Sequence, residues 1–121
     1  MQDELTAEYP HLNITLLSIN MIGAESGVAL IPATDHLPIY NDDANTNIWT
    51  NWGGGWRDVY ILNQQNEIYA VYNLTQNNLA PDQGDCSDGT STTQQSCTDA
   101  GGVWTSNYNY LKELFIAAAT Q

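Results

Sequence analysis

Apolar and polar positions change their spacing several times along the chain, and each change predicts an element. In MQDELTAEY, Leu5 and Tyr9 share one face of a helix that Pro10 stops. HLNITLLSIN follows, apolar at nearly every second position and also between them, the pattern of a strand covered on both faces. A helix leading into such a strand points to a βαβ arrangement and a parallel sheet. Glu25 to Ile31 have room for two helical turns, after which Pro32 and Pro38 keep the chain extended. DVYILN, the turn QQNE and IYAVYNLT predict a β-hairpin, dense in β-branched and aromatic residues on both arms. Ser106 or Asn107 is placed to cap a last helix over NYNYLKELFIAAATQ, where Leu111, Leu114, Phe115 and Ala118 form one apolar stripe.

Between hairpin and last helix the pattern fails. GDCSDGTSTTQQSCTDAGG is small and polar, so burial cannot hold its shape. A Cys86–Cys97 disulfide would hold it, contributing about 3 kcal/mol in the chain-entropy model, and would imply an oxidising, extracellular or periplasmic setting. Metal binding is the rival use of these cysteines. No second cysteine pair exists, and His11 and His36 are distant in sequence. A redox-active pair would need a cation or helix N-terminus to lower a thiol pKa, and the segment offers Asp82, Asp85, Asp88 and Asp99 instead. Those four acids lack the spacing of a calcium loop and are expected to form a solvated acidic surface.

Composition narrows the function. A chain of 121 residues is the size of one domain, so a single domain over 1–121 is expected. Two basic residues stand against 14 acidic ones, a formal charge of -12, which argues against nucleic acid or an anionic membrane as partner. No apolar run is long enough to cross a bilayer, and no basic n-region or apolar h-region opens the chain.

Candidate chemistry is sparse. Ser18, Ser26, His11, His36, Asp35 and Asp58 supply the types of a Ser-His-Asp triad, but no Gly-x-Ser-x-Gly elbow surrounds either serine. Asp42 and Asp43 are paired carboxylates in NDDANTN, expected to be a solvated loop. WGGGW lacks the Lys and the Ser or Thr of a phosphate loop. Asn13 and Asn73 begin glycosylation sequons in or beside predicted strands. In WTNWGGGWRDVYILN, Trp49, Trp52, Trp56 and Arg57 are the candidate binding residues, as aromatic cover at the hairpin approach or as a carbohydrate platform.

The words LSINMIGAESG, LPIYND, WTNWGGGWRDVYILNQQNEIYAVYNLT and LKELFIAAA, in that order, resemble bacterial thioredoxin-like, redoxin-type domains. The resemblance covers roughly residues 1–81 and 107–119 and leaves 82–106 as an insertion. It implies an α/β fold, an incomplete thioredoxin-like sheet with a C-terminal hairpin and helix plus a disulfide-closed loop insertion. It also implies what is missing. Redox-active members carry Cys-x-x-Cys at the start of a helix whose second half Met1 to Tyr9 would represent, and Arg57 stands where a thioredoxin places a cis-proline. The catalytic strand and motif, or a selenocysteine equivalent, are expected upstream. For this chain alone the expectation is no catalytic residue, no cofactor, and a non-catalytic binding or structural role. The alternatives are a self-assembling or strand-accepting subunit, and a secreted carbohydrate-binding module built on the tryptophans. An edge left open beside NITLLSIN leads to an expected protein partner or self-association.

Overall fold

The computed structural model describes residues 1–32 and 37–121. The chain is mixed α/β, with three two-stranded sheets among the described residues and one disulfide, and divides into two compact units, Gln2–Gly55 and Trp56–Gln121 with Met1.

In the first unit, helix α1 (Gln2–Glu8) buries Leu5 and closes with the Tyr9 amide on the Leu5 carbonyl. Strand β1 (Ser18–Asn20) pairs in parallel with β2 (Ile39–Asn41), in the register Ser18 to Ile39 and Asn20 to Asn41. A parallel pair requires a crossover, and a 3-10 helix over Glu25–Leu30 lies within it. That helix replaces the two α-helical turns expected from Glu25 to Ile31. None of its residues is buried and no side chain caps it, so nothing rewards a longer element.

The strand expected over HLNITLLSIN is a further correction. Only Ser18–Asn20 is strand, and the residues before it alternate, with His11, Asn13, Thr15 and Leu17 exposed and Leu12, Ile14 and Leu16 half-buried. The cause is local. The Gln2 side-chain amide donates to the Ile14 carbonyl at 3.0 Å and accepts from the Leu16 amide at 2.7 Å. One side chain therefore takes the place of a neighbouring strand.

A short helix α2 (Ile48–Asn51), not foreseen, ends the unit. Its amides at Ile48 and Trp49 donate to the two carboxylate oxygens of Asp42, each at 3.0 Å.

The second unit opens with the hairpin, β3 (Asp58–Leu62) antiparallel to β4 (Ile68–Asn73). Its turn is made by Asn63, whose side-chain oxygen accepts from the Gln65 and Glu67 amides, and by Asn66 at φ 61°. Strands β5 (Gly84–Cys86) and β6 (Trp104–Ser106) pair antiparallel, with α3 (Gln94–Asp99) between them in sequence. Helix α4 (Asn107–Ala119) starts where expected. The Ser106 hydroxyl caps it by accepting from the Asn109 amide, and Leu111, Phe115 and Ala118 are buried, with Leu114 half-buried beside them. It packs on β3, β4, β5 and β6, so this unit's core is Ile61, Tyr72, the two cysteines and the α4 stripe. No helix among the described residues is long and apolar enough to cross a membrane.

Candidate functional site

The segment around the cysteines is the most tightly specified part of the chain. Cys86 and Cys97 are bonded, their Cα atoms 5.6 Å apart, and both are buried. Thr93 and Ser96 form a reciprocal capping box at the start of α3, which fixes where Cys97 points. Gly101, at φ 74°, ends the helix, and the Gly102 amide returns to the Cys97 carbonyl at 2.9 Å. Trp104 stands opposite Cys86 in the register. With both sulfurs committed, the chain holds no free thiol.

The acids of this segment divide. Asp88 accepts from the Ser91 hydroxyl and from the Ser91 and Thr90 amides, which hold its carboxyl down at about 2. Asp99 accepts from the Gln95 side chain, while among the described residues no hydrogen bond or ion pair engages the Asp85 carboxylate. Among the described residues no group of three His, Cys, Asp or Glu side chains is arranged to hold a metal.

The tryptophans and Arg57 fall in both units. Trp49, in α2, is half-buried with its indole against Gly54, where an added Cβ would stand 3.1 Å from the ring. Its indole N–H is buried and meets no acceptor among the described residues. Trp52, 41% exposed, follows α2 in the first unit. Trp56, 67% exposed, begins the second, and its carbonyl accepts from the Asn73 side chain. Arg57 is exposed at φ 63°, and its carbonyl receives the Leu74 amide at the base of the hairpin. No cis peptide bond occurs among the described residues.

Asp42 corrects the expectation of a solvated loop. It is 3% exposed. Burial would raise its pKa, but the amides of Trp49 and Ile48, the Thr46 hydroxyl and the Asp43 amide outweigh that and hold the carboxyl below its ordinary value. Asp43 is exposed and receives the Asn45 and Thr46 amides. Asp42 is thus a cap for α2, and Asp43 folds the turn that leads into it. Of the triad types, Asp35 and His36 lie outside the described residues. His11 and Ser26 are exposed, Ser18 lies in β1, and Asp58 accepts from Asn73 in the hairpin. No hydrogen bond joins the two serines to His11.

One edge in the first unit is built and left open. Ile14 and Leu16 turn their polar backbone groups to Gln2, and on the same edge the Ser18 amide donates to the Pro38 carbonyl and the Asn20 carbonyl accepts from Asp42. Within β1 alternation directs the amide and carbonyl of Ile19 to the opposite edge, and Thr15 and Leu17, which lead into the strand, make no backbone hydrogen bond among the described residues. No strand among the described residues pairs there. No family model matches the chain, and no curated protein or solved structure matches it significantly.

Two side chains organise the first unit: Asp42, which the sequence marks only as one of a carboxylate pair, and Gln2, which no motif marks. Asp42 carried a signal: a run of Asp, Asn and Thr just before IWTN has the chemistry of a helix cap. Gln2 carried none, because its partners lie 12 and 14 residues away.

Proposed function

We propose that this chain is a non-catalytic, thioredoxin-like binding domain of an exported protein, and that it accepts an extended segment along the outer edge of β1, from a second copy or from a partner protein. The order of α1, β1, crossover, hairpin and α4 is compatible with that family, and the buried disulfide suits an oxidising compartment. The open edge at Thr15, Leu17 and Ile19 carries the reading. Three alternate positions without backbone partners are a template for strand addition, and Leu17, 54% exposed, offers an apolar side chain to the incoming strand.

The test is the oligomeric state of the wild type and of Leu17→Pro. Proline removes an N–H that makes no internal bond and suits an extended backbone, so the variant keeps the fold. Light scattering over a hundredfold concentration range is expected to show association for the wild type and monomer for the variant, with unchanged circular dichroism. For a partner strand in place of self-association, a β-forming peptide library is expected to yield binders that Leu17→Pro abolishes. A monomeric wild type with no Leu17-sensitive binder refutes the proposal.

A further inference from the structure

The second unit contains a cleft of about 360 Å³ lined by Tyr72, Asn77, Asp85, Thr105, Asn107 and Tyr110. The strands and α4 build it: Asp85 and Thr105 face each other across β5 and β6, Asn107 and Tyr110 lie on the first turn of α4, and Tyr72 comes from β4. Its lining offers several acceptor oxygens beside the hydroxyls of Thr105 and Tyr110. The Asn77 amide nitrogen donates to the Asn73 carbonyl at 3.0 Å, and the Asn107 amide nitrogen to the Asn78 carbonyl at 2.9 Å. The Tyr72 hydroxyl donates to the Asn107 carbonyl at 3.4 Å. Each group therefore spends a hydrogen within the protein and keeps an oxygen lone pair to offer. Among the described residues the Asp85 carboxylate makes no hydrogen bond or ion pair. Burial first, and then the nearby Tyr110 and Asp85, push the Tyr72 phenol above its ordinary pKa, so it stays a neutral hydroxyl.

Asp85 is the one charged group in the lining, so the cleft favours a ligand that brings positive charge and donors. An anion would meet an uncompensated carboxylate in a chain of net charge -12. A sugar would gain little from the rings, since Tyr72 is 7% exposed and only Tyr110, 52% exposed, presents an open one. A bare divalent metal would find a single carboxylate. We propose that the cleft binds a primary alkylammonium group, its three N–H donors directed to Asp85, Asn77 and Asn107 and its alkyl stem against the Tyr110 ring. The ammonium comes from a lysine side chain of a partner protein or from a free polyamine. This inference is independent of the β1 edge, which lies in the other unit.

The test is an NMR titration of the intact, oxidised chain at low salt with propylamine, spermidine and Nα-acetyl-lysine methylamide, and with 1-propanol as the neutral control. The ammonium compounds are expected to shift the amides of Asp85, Thr105, Asn107 and Tyr110, and 1-propanol to leave them in place. Asp85→Asn keeps the shape and is expected to weaken binding about tenfold or more, the usual worth of a hydrogen bond to a charged group. Glu67→Gln removes the same charge at the exposed hairpin turn and is expected to change affinity less than twofold, which separates the cleft from bulk charge. Tighter binding of the lysine derivative assigns the ammonium to a protein partner, and tighter binding of spermidine, with the same dependence on Asp85, to a free polyamine. The proposal is overturned if 1-propanol shifts the same amides equally, if Asp85→Asn and Glu67→Gln weaken binding alike, or if no ammonium compound shifts them.

Discussion

Gly102→Ala is a sharp perturbation, because a single methyl group would be driven into the disulfide. An ideal Cβ at Gly102 stands 2.5 Å from Cys86 Sγ, 2.9 Å from Cys97 Sγ and 3.3 Å from the Cys97 carbonyl. Unstrained contacts of this kind need about 3.5 Å or more. The sulfurs have nowhere to retreat, since Cys97 is 0% and Cys86 8% exposed. Overpacking by one methyl in such a place costs about 1–3 kcal/mol. For comparison, the cross-link itself, with a sequence separation of 11, contributes about 2.8 kcal/mol in the chain-entropy model. A clash of that size removes most of what the disulfide supplies. Gly102→Ala is therefore expected to destabilise the oxidised protein by about 1–3 kcal/mol and to make the disulfide easier to reduce. In a Cys86→Ala, Cys97→Ala background both sulfurs are gone, and the same substitution is expected to cost less than about 0.5 kcal/mol. Urea unfolding of the four proteins, with amide exchange at β5 and β6 to locate the change, gives the coupling directly. Equal cost in both backgrounds would refute the reasoning, because the strain would then belong to the backbone.

Two further expectations follow from individual hydrogen bonds. Ser106→Ala removes the side-chain cap of α4 and is expected to cost about 1 kcal/mol in urea unfolding, with Ser106→Asp restoring most of it. The Asp88 carboxyl, held at about 2 against an ordinary 3.8, adds stability that is fully present above pH 4 or so and is lost as pH falls through about 2. The stability difference between wild type and Asp88→Asn is thus expected to be flat above pH 5 and to shrink below 4; a difference that grows on acidification would reverse the sign and refute it.

The sequence determined by itself those elements whose instructions are local. The hairpin was legible because its arms are β-branched and aromatic and its turn is Asn and Gln. Helix α4 was legible because Ser106 precedes a stripe at helical spacing. The disulfide was legible because nothing else could order a polar segment holding the only two cysteines. Tertiary structure decided the rest. HLNITLLSIN has the composition of a covered strand, yet whether it becomes one depends on neighbours that composition does not specify, and a glutamine amide from α1 stands in for one of them. NDDANTN has the composition of a solvated loop, yet Asp42 is buried because four donors converge on it, and convergence is a property of the folded chain. The cleft follows the same rule. No local pattern joins Asn77, Asp85 and Tyr110; they meet because β5 pairs with β6 and α4 follows directly on β6.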